Sequence, residues 1–167
     1  LQFYDIAFAM ATPDLDDILA AAELAKGTGD LRRVESYYAL AVSGPTPDFR
    51  ALTEYAKFLE GDKQYEKAEY CANQAFRLIL EGDPALQRSL RFFIATCVAK
   101  QPKRSAEGLA MARRIAASVT DQAEKDIYIP AYGSLLIDCG HAKEGLAIRR
   151  HYKAYGELLT QTEGNTP

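Results

Sequence analysis

The tripeptide Thr-Pro-Asp occurs twice in this chain, at residues 12–14 and 46–48, a spacing of 34 residues. A related pair, Asp83-Pro84, begins 37 residues after the second copy starts, and Thr120-Asp121 follows after 37 more. Each is typical of a helix start, because Thr or Asp accepts a hydrogen bond from a free amide of the first turn. Pro at the first helical position has no amide hydrogen to leave unpaired. Four such starts at this spacing predict an array of repeats.

Between these starts, apolar residues follow a helical period twice in each repeat. In the first repeat Ile18, Leu19 and Ala22 share one helix face, Gly27–Asp30 interrupts the pattern, and a second stripe begins at Leu31. We therefore predict an all-α fold without strands, made of eight helices in four antiparallel hairpins. The predicted hairpins cover about residues 12–45, 46–82, 83–119 and 120–159. Residues 1–10 are expected to be a helix tail or capping helix packed on the first hairpin, with an exposed contact segment as the alternative.

The composition fits one folded domain over residues 1–159, followed by a flexible tail at 160–167. Of 167 residues, 48% are apolar and 26% are charged, and a chain of this length buries roughly 70% of its unfolded surface. No apolar run reaches the ~20 residues of a membrane span. Three cysteines is an odd number, which favours a reducing, cytoplasmic location over a disulfide framework. The chain begins with Leu1 rather than Met, which leaves open that a targeting segment was trimmed.

The second repeat resembles the tetratricopeptide repeat family. The resemblance is clearest in Leu52-Thr53-Glu54-Tyr55-Ala56-Lys57-Phe58-Leu59, which leads into Tyr65-Glu66-Lys67-Ala68. That family has a bulky opening position, matched here by Ile18, Leu52, Phe92 and Ile129, and small residues where its two helices cross. The first crossing position holds Ala22, Ala56, Thr96 and Gly133, and the second holds Val34, Ala68, Gly108 and Gly145. The resemblance covers about residues 12–155 and implies a right-handed α–α superhelix, or solenoid, of about four helix-turn-helix repeats.

The later repeats depart from the family pattern. Their spacing is longer, the chain has no Trp, and Pro130 falls inside a predicted helix. A related helical-hairpin array, such as a pentatricopeptide or Sel1-like repeat, therefore stays open.

The resemblance also implies a concave groove that binds a peptide or helix of another protein. Positions of the first helix in each hairpin face that groove in the family. In the first two hairpins they hold Asp16, Leu19, Glu23, Lys26, Arg50, Thr53, Lys57 and Glu60. In the last two they hold Leu90, Phe93, Cys97, Lys100, Ile127, Pro130, Ser134 and Ile137. The subset that clamps chaperone C-terminal carboxylates needs Lys and Asn where this chain has Leu19 and Glu23, so that subset is disfavoured. The groove suits an amphipathic helix or an extended peptide with apolar anchors.

Charge is concentrated in the third hairpin, whose net charge is +5 in a chain of net charge −3. Its bases are Arg88, Arg91, Lys100, Lys103, Arg104, Arg113 and Arg114, against the two acids Asp83 and Glu107. One interpretation is a basic patch that contacts an acidic segment of a partner. The other is an ordinary solvated surface, with charges compensated by neighbouring hairpins.

Motifs for catalysis, cofactors or metals are not recognisable. Cys139 and His141 are two ligand types in close spacing, but a structural zinc site needs four, and acids at the start of a helix are explained by its dipole. We therefore predict no cofactor, no metal and no enzymatic activity. The predicted function is a protein-binding module, scaffold or adaptor. The alternative is a helical-repeat RNA-binding or enzyme-associated domain, although a pI of about 5.5 argues against nucleic acid. Homo-oligomerisation stays open.

Overall fold

The computed structural model of the chain describes Tyr4, Asp5, Phe8 and residues 13–44 and 46–152. These residues form eight helices and no strand, which confirms the predicted all-α class. The helices are α1 Leu15–Thr28, α2 Leu31–Ala41, α3 Phe49–Gly61, α4 Tyr65–Leu78, α5 Pro84–Ala99, α6 Ser105–Ser118, α7 Gln122–Asp138 and α8 Ala142–Arg150. No helix in this part of the chain is both long and apolar enough to cross a membrane. The predicted tail at 160–167 lies outside the described residues.

An aspartate caps the first helix of every hairpin. Asp14, Asp48, Asp83 and Asp121 each accept a hydrogen bond from a backbone amide two or three residues on, at distances of 2.6 to 3.2 Å. Pro84 occupies the first turn as predicted. The expectation that Pro13 and Pro47 open their helices was wrong. They precede the caps Asp14 and Asp48, because it is the aspartate carboxylates that reach the free amides.

Three hairpins turn in the same way. Gly29, Lys63 and Gly140 adopt left-handed backbone conformations, with φ of 73°, 62° and 90°. In each case the residue after the left-handed one donates its backbone amide to the carbonyl of the residue five positions before itself, for example Gln64 N to Leu59 O at 2.8 Å. This bond pattern is a Schellman motif, which ends one helix and redirects the chain into the next. The third hairpin differs, since Lys100–Arg104 connects α5 to α6 through a longer turn that contains no left-handed residue.

Glycines allow close helix contact in the last two hairpins. A Cβ atom on Gly145 would lie 2.3 Å from the carbonyl oxygen of Gly133, and one on Gly133 would lie 3.0 Å from that of Gly145. These two predicted crossing positions therefore face each other. In the third hairpin, Gly108 lies against the backbone of Ala95 and Ala99. The assignment of Thr96 to that crossing was wrong, because the longer turn shifts the register of α5 relative to α6.

The chain divides into two compact units, Leu1–Ile79 and Leu80–Pro167, here called the N-terminal and C-terminal units. In each unit, helices that are adjacent in sequence pack against one another. The core of the C-terminal unit includes Val119, Ile129, Tyr132, Leu136 and Ile148. Pro130 lies inside α7, which continues past it.

The core of the N-terminal unit is rich in tyrosine. Tyr38 is buried, and its ring stacks on Tyr55 with centroids 5.7 Å apart. Tyr37 is also buried and donates to Asp5 Oδ1 at 2.6 Å, while Phe8 meets its ring edge-on. Asp5 and Phe8 thus pack on α2, as expected for residues 1–10. The other residues of that range lie outside the described part of the chain.

Candidate partner-binding cleft

A cleft of about 320 Å³ opens within the N-terminal unit. Helix α1 contributes Asp16, Leu19, Ala20 and Glu23, α2 contributes Tyr38, and α3 contributes Arg50 and Glu54. Asp16, Leu19, Glu23 and Arg50 are four of the residues predicted to face a groove. The structure therefore brings together predicted positions from two successive hairpins.

Glu23 is held in place by two neighbours. Its Oε1 accepts from Lys26 Nζ at 2.6 Å and from the hydroxyl of Tyr38 at 3.0 Å. The bond to Lys26, opposed by partial burial, lowers the pKa of the Glu23 carboxyl. Burial works against the charge on Lys26, but the contacts with Glu23 and Tyr38 outweigh it, so the pKa of Lys26 is raised. Both groups stay ionised at neutral pH, and the Glu23 carboxylate has a fixed orientation.

Tyr38 forms the floor of the cleft. Lys26 Nζ lies 5.0 Å from the centroid of its ring, a cation–π contact, and Tyr55 and Phe58 pack on the same side chain. Burial raises the pKa of the Tyr38 hydroxyl, so it remains a hydrogen-bond donor well above neutral pH. The cleft therefore has a rigid aromatic base.

The rim of the cleft consists of ion pairs. Arg50 on α3 pairs with Asp16 on α1, and Lys57 Nζ lies 2.8 Å from Glu54 Oε1 within α3. The Asp16 side chain is 78% exposed. Lys26 and Lys57, both predicted groove residues, thus act as partners of lining carboxylates. Thr53 donates to the carbonyl of Arg50 at 2.9 Å, and Glu60 is half-buried.

Ala20, Tyr38 and Glu54 line the cleft but were not among the predicted groove residues. Tyr38 belongs to the second helix of its hairpin, and the resemblance assigned groove positions to first helices only. Glu54 was detectable, because it lies four residues after Arg50 and so shares its helix face.

In the C-terminal unit the predicted groove residues differ in accessibility. Leu90 and Cys97 are buried, whereas Ile127 is 62% exposed. Ile137 packs against Gly145, since a Cβ atom on that glycine would lie 2.7 Å from Cγ1 of Ile137. The remaining four, Phe93, Lys100, Pro130 and Ser134, are half-buried. The Ser134 hydroxyl donates to the carbonyl of Pro130 at 3.1 Å.

Carboxylates neutralise part of the basic third hairpin. Arg88 pairs with Glu124 of α7, and Lys100 Nζ lies 3.8 Å from Asp138 Oδ2 at the end of the same helix. Arg104 forms a two-point contact with Glu107 at 2.9 and 2.8 Å. The other four bases, Arg91, Lys103, Arg113 and Arg114, are exposed. The exposed part of the basic patch is therefore smaller than the sequence suggests.

The cysteines and histidines form no recognised metal site in the described part of the chain. No group of three or more His, Cys, Asp or Glu residues is arranged to hold an ion there. Cys71 and Cys97 are buried and form no disulfide bond in the described part of the chain. Burial raises the pKa of the Cys71 thiol. The Cys139 thiol lies 3.5 Å from the carbonyl oxygen of Ala99. His141 is an exposed residue at the start of α8, beside a second cavity of about 440 Å³ that no predicted site residue lines.

Comparisons of the chain with family models, with curated proteins and with solved structures found no match. The geometry of the cleft and the repeated hairpin therefore carry the functional argument.

Proposed function

We propose that the chain is a non-enzymatic protein-interaction module whose cleft in the N-terminal unit binds a peptide or helix of another protein. The observation that carries this proposal is the convergence of Asp16, Glu23 and Arg50, from two successive hairpins, around Tyr38. Each of these three is a position that the resemblance to tetratricopeptide repeats assigns to the groove.

We further propose that the four hairpins form a tetratricopeptide-like right-handed superhelix. Two repeated features support it. The aspartate caps recur at residues 14, 48, 83 and 121, and three of the four hairpins share one turn geometry. A solenoid is built from repeated units of this kind, so the recurrence of the aspartate caps and of the turn geometry at similar spacing supports it.

The cleft offers a partner both charge signs and an aromatic floor. Its rim pairs are exposed, and such pairs contribute only about 0–1 kcal/mol each. A partner's charged groups can therefore replace Lys57 or Arg50 at little cost. Tyr38 and Leu19 are only 1% and 8% exposed and form the base of the cleft. Ala20 is the exposed apolar residue of the lining, so it would contact a partner's apolar anchor.

The test compares two double variants with equal charge changes. The cleft variant is Asp16→Lys with Glu54→Lys. The matched control is Asp17→Lys with Glu66→Lys, which also changes one first-turn aspartate of α1 and one glutamate of the N-terminal unit, but outside the cleft lining. Each is used as bait beside the original protein in a quantitative pull-down with mass spectrometry.

We expect a protein captured by the original chain and by the control to be lost from the cleft variant, with circular dichroism unchanged. Equal capture by both variants would refute a role for the cleft. Titration of RNA with increasing salt separates the alternative function, because RNA binding through phosphates weakens steeply as salt rises.

A further inference from the structure

The two units of the chain carry opposite net charges. Residues 1–79 contain 13 acids and 8 bases, a net charge of −5, whereas residues 80–167 contain 10 acids and 12 bases, a net charge of +2. The positive charge is concentrated in residues 83–120, which are net +5. Opposite surfaces of this kind attract each other between molecules at low ionic strength. One chain therefore carries both an acidic surface and a basic surface that can attract the opposite surface of another copy.

Arg113 and Arg114 are the exposed cations best placed to use that attraction. Both lie on α6, and neither forms an ion pair with a carboxylate among the described residues. The bond of Arg114 is to the carbonyl of Ala110 in its own helix, at 3.4 Å. Glu107, the acid of that helix, is already bound by Arg104. Two adjacent guanidinium groups are therefore presented without a carboxylate partner.

The cleft of the N-terminal unit has the complementary chemistry. Its lining contains three carboxylates, those of Asp16, Glu23 and Glu54. They are already in ion pairs with Arg50, Lys26 and Lys57 respectively. Such exposed pairs contribute only about 0–1 kcal/mol each, so an arginine of a second copy can replace the present cation. Arginine suits such a site because its planar donors pair with carboxylates in a two-point geometry. Its apolar stem can lie along Ala20, the exposed apolar residue of the lining.

We propose that Arg113 and Arg114 of a second copy of this chain bind in the cleft, so that the protein associates head to tail. The inference rests on the proposed function, because it uses the same cleft. An interface between two different surfaces is heterologous, and each added copy leaves one cleft and one α6 free. Association then continues beyond the dimer or closes into a ring.

The pair Arg149 and Arg150 on α8 is the natural comparison. These arginines are also exposed and adjacent, but they occupy the last turn of their helix, where the dipole already stabilises positive charge. Their predicted hairpin, residues 120–159, is net −1. We expect this pair to take no part in the association.

The test is sedimentation equilibrium of the full chain across a range of protein concentrations. In about 20 mM salt we expect the average mass to rise above the monomer mass of 18.4 kDa as concentration increases. In about 0.5 M salt it should return to the monomer, because screening shortens the reach of exposed charges. Arg113→Glu with Arg114→Glu, and separately the cleft variant Asp16→Lys with Glu54→Lys, should each remain monomeric at low salt. Arg149→Glu with Arg150→Glu should associate like the original chain.

Mixing the two monomeric variants gives the sharpest outcome. In the mixture, the acidic cleft of the Arg113→Glu, Arg114→Glu variant meets the basic α6 of the cleft variant, and the basic cleft of the cleft variant meets the acidic α6 of the other. Association should therefore return, although neither variant associates alone. A monomer at every concentration in low salt, or a mixture that stays monomeric, would overturn the inference.

Binding of a labelled arginine-containing peptide distinguishes a failure of self-association from a failure of the proposed peptide-binding function. If the original chain stays monomeric but binds the peptide, and the cleft variant does not, a different protein occupies the cleft. The self-association is then wrong and the proposed function stands. Association that persists in the cleft variant would also overturn the inference, because it would use another surface.

Discussion

Replacing Gly108 by Ala adds one methyl group at the point where α6 lies closest to α5. The new Cβ would lie 2.1 Å from the amide nitrogen of Ala99, 2.5 Å from its Cα and 2.6 Å from the carbonyl oxygen of Ala95. All three atoms belong to the backbone, so no side-chain rotation relieves the overlap. The helices must separate by about 1 Å or more to restore ordinary contact in a close-packed interior.

Overpacking of this kind costs about 1–3 kcal/mol, and more when the backbone must shift. Alanine regains about 1 kcal/mol over glycine in a helix. Because only backbone atoms could move aside, the cost lies at the upper end of that range, about 3 kcal/mol. With the alanine gain subtracted, we expect Gly108→Ala to lower the free energy of unfolding by about 2 kcal/mol. Urea unfolding followed by circular dichroism measures this loss, and hydrogen exchange should show reduced protection in α5 and α6.

The matched control is Gly27→Ala. Gly27 lies inside α1, and a Cβ there would meet no atom within 4 Å. The same substitution should therefore raise stability, by about 0.5–1 kcal/mol. If Gly108→Ala proved as stable as Gly27→Ala, the close approach of α5 and α6 would be refuted.

Three further substitutions test the N-terminal unit. Lys63→Gly should raise the free energy of unfolding by about 1 kcal/mol, because Lys63 has a φ of 62° and a side chain is strained at that angle. If urea unfolding showed no gain in stability, the left-handed conformation of Lys63 would be refuted. Ala68→Leu should lower the free energy of unfolding by about 1–3 kcal/mol, since Ala68 is fully buried. An unchanged melting temperature would show that Ala68 is not at the helix crossing. Burial and the bond to Asp5 raise the pKa of Tyr37 to about 12, above the value of about 10 expected for the unfolded chain. Its contribution to stability is therefore complete below pH 10 and is lost between pH 10 and 12, so Tyr37→Phe should unfold with less pH dependence over that range.

Local signals made the helices predictable. The aspartates at 14, 48, 83 and 121 and the breaks at Gly29 and Gly140 act through bonds within a few residues of themselves. Sequence reasoning recovers such features because they depend on little else. The role of Pro13 and Pro47 was misjudged, since Thr and Asp are both favoured capping residues and the sequence does not say which one the helix uses.

Contacts between helices were harder to predict. The alignment of Thr96 with Gly108 assumed one turn length for every hairpin, and Lys100–Arg104 is longer. Tyr38 became part of the cleft through its bond to Glu23, fifteen residues earlier in the chain. Pairings such as Arg88 with Glu124, 36 residues apart, depend on how hairpins pack, which charge counting along the sequence does not reveal.

The packing of each helix against its neighbours in sequence has a consequence for how the protein forms. The principal helix contacts within each unit join segments that follow one another directly in the chain, so the loops that must close are short and their entropic cost is small. Proteins with such local contacts fold in microseconds to milliseconds. A ribosome adds about 5–20 residues per second, so each hairpin has seconds to form before the next one is complete. The order of synthesis is then also the order of assembly.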